Sequence, residues 1–110
     1  GQPRLRLRRR EVRMTRRFSL VRYPNQKFNT TCAGNSVAVS LRTFRGIVYA
    51  NVSVNGELVC AGRPCLRNEP IFPRPAEEAI GGSFRFVCDG DEYPVWDKFG
   101  TEACYLVLED

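Results

Sequence analysis

Five cysteines and no histidine define the chemistry open to this 110-residue chain. The cysteines stand at 32, 60, 65, 88 and 104, and only Cys60 and Cys65 are close in sequence. Structural zinc sites use cysteine pairs two to four residues apart, matched by a second pair or by histidines. The single close pair here has nothing to match it, so no metal is expected. Without histidine, the Ser-His and Cys-His nucleophile arrangements are excluded within one subunit. There is no phosphate-binding glycine loop, no GxGxxG and no GxSxG. The acidic stretch DGDEYPVWD holds Asp89, Asp91, Glu92 and Asp97, yet lacks the spacing and terminal glutamate of a calcium loop and reads as a solvated turn. Neither an enzyme nor a cofactor is expected.

Disulfides remain as the cysteine chemistry to consider. An odd number cannot pair completely within one chain, so at least one thiol is left over or linked to another chain. Cys60, Cys65 and Cys32 are the candidates for disulfide or intersubunit bonds. Cys88 continues the apolar face of Phe84 and Phe86, and Cys104 that of Leu106 and Leu108, as small buried hydrophobes would. The alternative is that all five are packed, reduced thiols.

The elements that position these residues are short and of one kind. Segments 18–23, 27–32, 36–44, 47–54, 57–62, 83–88 and 103–109 are rich in β-branched and aromatic residues and separated by turn residues, the pattern of strands. Seven of them predict an all-β sandwich or small barrel. Asn55-Gly56 predicts a two-residue hairpin turn. Regular pairing across it puts Ala50, Val52, Val54, Val59 and Ala61 on the core face, and Asn51, Ser53, Leu58 and Cys60 on the polar face. Residues 63–82 hold Pro64, Pro70, Pro73 and Pro75 and read as a long ordered loop with room for one helical turn at most.

Charge is concentrated at one end. Residues 1–17 carry eight arginines against Glu11 alone, whereas the rest sums to a slight negative charge within a net +5. We therefore divide the chain into a basic arm, 1–16, and a β-rich domain, 17–110; Met14 is a candidate internal start. In the arm, Leu5 and Leu7 alternate with Arg4, Arg6 and Arg8, a pattern suited to strand addition at a sheet edge, and Arg9, Arg10 and Arg13 follow. Such an arm is expected to lie against its own domain or a neighbour. Arginine pairs bidentately with carboxylates at protein interfaces, and it also neutralises phosphates. The body carries no basic track to continue a phosphate path, so an acidic protein surface is the preferred partner and nucleic acid the second. No stretch is long and apolar enough for a membrane span, and no secretory signal is recognisable, so synthesis in a cytoplasm is expected.

The run RYPNQKFNTTCAGNSVAVSLRTF (22–44), followed by VYANVSVNGELVCAGRPCL (48–66), resembles the plug-type domain of contractile-tailed phage baseplates, a family that includes a cyanophage baseplate plug. The matching positions are Pro24, Asn25, Gln26, Gly34, Val37, Val39, Leu41, Gly56, Leu58, Val59, Gly62, Pro64 and Leu66, with FGTEACYLVLE (99–109) as the closing strand. The arm lies outside this pattern. The resemblance implies a structural virion protein at the tail tip, between hub, spike and tail tube or tube initiator, with other baseplate proteins or copies of itself as partners. It also implies release by lysis into an oxidising medium, where Cys60 and Cys65 would be placed to lock the finished particle.

Overall fold

A computed structural model describes residues 15–89 and 93–110. The arm residues Arg4, Leu5, Arg6, Leu7, Arg8, Arg9, Arg10 and Arg13 lie outside these, as do Asp91 and Glu92. The described chain forms strands β1 (Thr15–Phe18), β2 (Gln26–Cys32), β3 (Asn35–Phe44), β4 (Ile47–Val54) and β5 (Glu57–Pro64), then helix α1 (Arg74–Ile80), β6 (Ser83–Cys88), a 3-10 turn (Trp96–Lys98) and β7 (Cys104–Glu109).

The strands make two antiparallel sheets, β1-β7-β6 and β2-β3-β4-β5. Alternation decides which side faces in: Val37, Val39 and Leu41 of β3 and Val48, Ala50 and Val52 of β4 are buried, and meet Phe84, Phe86, Leu106 and Leu108 of the other sheet in one core. Each valine, leucine and phenylalanine side chain among these contributes about 1.5–3 kcal/mol of transfer free energy, and Ala50 less. Phe28 of β2 lies 6.3 Å, centroid to centroid, from Phe84 of β6, so the facing sheets touch through aromatic rings. The all-β sandwich is therefore present, as two sheets of unequal size.

The larger sheet is a meander of three two-residue hairpins. Ala33, Arg45 and Asn55 each take a positive φ of 52°, followed by a glycine also at positive φ, which matches the right-handed strand twist. The Asn55 side chain ties its turn to the start of β3, accepting the Ser36 N–H at 2.9 Å and donating to Asn35 Oδ1 at 3.1 Å.

Three local expectations are corrected. The first strand is Thr15–Phe18 rather than 18–23, so Thr15 and Arg16 pair with Glu109 and Leu108 of β7. After it, Leu20 turns into the core. The β4–β5 hairpin keeps Val54 opposite Glu57 and Ser53 opposite Leu58, then slips: Val52 faces Cys60 and Ala50 faces Arg63. Two bulges cause this. Val59 is extra in the first, and in the second the Asn51 side chain accepts the Gly62 N–H at 2.7 Å, occupying a position a strand residue would otherwise fill. Val59 and Ala61 are consequently exposed rather than buried. Finally, 74–80 is a seven-residue helix, longer than one turn. Pro75 sits in its first turn, where no N–H donor is required, Ala76 and Ile80 share the buried face, and Gly81 ends it in the left-handed conformation with its N–H on Glu77 O.

The segment between β5 and α1 lies along the outer edge of β6. Asn68 N–H donates to Phe86 O at 2.7 Å and Ile71 N–H to Phe84 O at 2.8 Å, covering an edge that would otherwise offer unpaired groups.

Candidate interaction surfaces

The β3–β4 hairpin ends in an apolar surface. Phe44 and Ile47 stand opposite each other beside the Arg45-Gly46 turn and are 60% and 45% exposed. Next to them Ile47, Pro64, Leu66, Tyr93 and Pro94 line an open groove, in which Leu66 and Tyr93 are also exposed. Two guanidinium groups border this end: Arg45 Cζ lies 5.3 Å from the Phe44 ring centre and Arg67 Cζ 5.7 Å from that of Tyr93. An apolar centre with an arginine rim is the composition of a protein-binding patch. Sequence reasoning missed it, because Phe44 and Ile47 read there as ordinary strand-forming residues and Tyr93 as part of the solvated acidic turn. The available signal was the symmetric pair of large apolar residues flanking Arg-Gly.

At the opposite, N-terminal side, the first described arginines are engaged within the domain. Arg16 donates to Thr30 Oγ1 at 3.2 Å and to the Thr31 carbonyl, fastening β1 of one sheet to β2 of the other. Arg17 lies 3.7 Å over the Tyr105 ring and 2.8 Å from Glu102. Both tie β1 down, so Thr15 is held at a fixed point on the sheet.

The cysteines are distributed as thiols without a disulfide. Cys32 is buried beside Asp110, its Sγ 3.9 Å from Oδ2. Burial raises its pKa, Asp110 adds to the rise and Arg16 opposes it. Cys65 is buried beneath the apolar groove, and burial pushes its thiol up to about 12, with nearby Cys88 contributing. Cys60 is half-buried against the core; the bulges move it off the polar face on which alternation had placed it. A link from Cys32 or Cys65 to a neighbouring chain would need local opening, whereas Cys60 requires less. Cys88 and Cys104 are buried and face each other across β6 and β7, sulfurs 3.0 Å apart. Their hydrogen bond, followed by burial, raises the Cys104 pKa.

No cluster of three or more cysteine or carboxylate groups suited to a metal occurs among the described residues, and no helix among them is long and apolar enough to cross a membrane. A protein-family model described as "Cyanophage baseplate Pam3 plug gp18" matches residues 15–110, from the first residue of β1 to the end of the chain. No curated protein matches.

Proposed function

The chain belongs to the cyanophage baseplate plug family, and on that premise we propose that it is a non-enzymatic structural part of a phage tail baseplate, joining hub or spike to the tail tube. The carrying observation is the extent of the match, which takes in both sheets and every strand among the described residues rather than one motif. Function in such a protein lies in shape and contact. The apolar end with Phe44, Ile47, Leu66 and Tyr93 supports docking to a neighbouring baseplate subunit whose carboxylates meet Arg45 at its rim. Its composition fits an interface centre, and burying it would remove the exposed apolar side chains Phe44, Ile47, Leu66 and Tyr93 from water.

The part of the arm ahead of β1, with Arg4 to Arg13, extends the same contact onto a neighbour by strand pairing and arginine–carboxylate bonds. Cys60 is the thiol best placed to reach another chain. The site of action is the virion tail, after synthesis in the host cytoplasm. Deleting residues 1–13 from the full chain tests this. The expected outcome is a folded protein, unchanged in its binding to random DNA, that enters tails poorly. Normal infectious yield from the truncated protein would remove the arm from the account. Loss of steeply salt-dependent DNA binding on truncation would favour the nucleic-acid alternative.

A further inference from the structure

Cys88 is the last residue of β6 and Cys104 the first of β7, and the two are direct cross-strand partners. The next position outward carries the ladder hydrogen bond, Asp89 N–H to Ala103 O at 3.0 Å. Hydrogen-bonded and non-hydrogen-bonded pairs alternate along an antiparallel ladder, so Cys88 and Cys104 form a non-hydrogen-bonded pair. There the Cα atoms approach to about 4.5 Å and the side chains are closest, inside the range of about 4.4–6.8 Å that a disulfide spans. The 3.0 Å separation of the sulfurs follows from that geometry. Isolated bridges from Cys104 to Phe99 and Thr101 hold its backbone in register. The other thiols have no comparable partner: Cys32 sits beside Asp110, Cys60 faces Val52, and Cys65, though near Cys88, is joined by its N–H to Val48 O in the opposite sheet.

We propose that Cys88 and Cys104 are a disulfide-forming pair, oxidised by a small-molecule disulfide such as oxidised glutathione. This inference stands apart from the baseplate reading, since it concerns one chain. In the first step the Cys88 thiolate, 7% exposed against 1% for Cys104, attacks one sulfur of the oxidant. One thiolate leaves and a mixed disulfide forms. The Cys104 thiolate then attacks the Cys88 sulfur and expels the second small thiolate. Two electrons pass from the protein to the oxidant, and the two protons lost by the cysteines are taken up by the leaving thiolates. The hydrogen bond from Cys88, followed by burial, keeps the Cys104 thiol protonated in the fold, so the bond forms as the chain folds or as the sheet end opens. Once made, it closes the segment between positions sixteen residues apart, which includes the 3-10 turn and the acidic stretch.

The test is to refold the full chain in a glutathione redox buffer, block remaining thiols with N-ethylmaleimide, and map peptides without reductant. The expected map contains a Cys88–Cys104 cross-linked peptide lacking two hydrogens, with Cys32, Cys60 and Cys65 alkylated. Reductant should then lower the Tm on the order of 10 °C, and the Cys88→Ala/Cys104→Ala variant should lose that sensitivity. Five alkylated cysteines, or a bond from Cys65 to either partner, would overturn the proposal. Should the double variant fail to fold, the wild-type peptide map decides alone.

Discussion

The side-chain amide of Gln26 and the backbone of Val21 exchange hydrogen bonds in both directions: Val21 N–H donates to Gln26 Oε1 at 3.1 Å, and Gln26 Nε2 donates back to Val21 O at 2.8 Å and to Tyr23 O at 3.0 Å. One side chain thus imitates a strand partner and closes the loop between β1 and β2. Asn25 Oδ1 accepts the Thr43 N–H and Thr43 Oγ1 donates to Pro24 O, fastening the same loop to β3. The Pro24-Asn25-Gln26 run is therefore a clamp, and its chemistry is architectural.

Replacing Gln26 by alanine should cost about 1–2 kcal/mol through the three hydrogen bonds it removes. Gln26→Glu should cost at least as much at neutral pH, because a carboxylate then faces the Val21 and Tyr23 carbonyls. Part of that loss should return below about pH 4, where a protonated acid can donate. Denaturant titrations at two pH values read both effects.

Tight packing at the helix exit gives a second outcome. A Cβ on residue 82 would meet Glu109 O and Cys32 Sγ, each at 2.9 Å, and Glu109 O is backbone of β7. Gly82→Ala should therefore destabilise by about 1–3 kcal/mol through forced displacement, whereas Glu78→Ala on the exposed side of α1 should change stability by less than about 0.5 kcal/mol. Equal effects in thermal unfolding would show that the helix exit is looser than its contacts imply.

Much of this architecture was legible in the sequence where one side of a strand is buried. β2, β3, β4, β6 and β7 fall where alternation put them, because Val37, Val39, Leu41, Phe84, Phe86, Leu106 and Leu108 must all point inward. β5 was not legible past Leu58. Its slip depends on Asn51 meeting Gly62 across the sheet, a tertiary contact without local signature. Helix α1 was hidden by prolines, since Pro75 stops a helix in its interior and suits one in its first turn. The cysteine faces on β6 and β7 could be read singly. Their mutual register could not, because the long connection between them fixes no offset.

Alkaline pH should expose the buried thiols. The Cys65 thiol rises from 9.0 to about 12 in the fold, so the folded chain holds a proton that the unfolded chain releases above about pH 9. The stability it contributes is fully present below pH 9 and is lost as pH rises toward 12, at about 1.4 kcal/mol per pH unit while only the unfolded thiol is ionised. Cys32 and Cys104 shift in the same direction. Unfolding at pH 8, 9.5 and 10.5 should show a falling stability, and Cys65→Val should flatten it; an unchanged slope would contradict the burial of that thiol.

The role of the apolar end is open to direct measurement in assembled particles. A photo-crosslinking amino acid introduced at Ile47, beside Phe44 at the hairpin tip, should on irradiation of intact virions join this chain to a hub or tail-tube subunit. Control positions on the exposed surface of β2, such as Asn29, should give little. The contradicting result is a chain present in stoichiometric amount whose Ile47 position captures nothing but water.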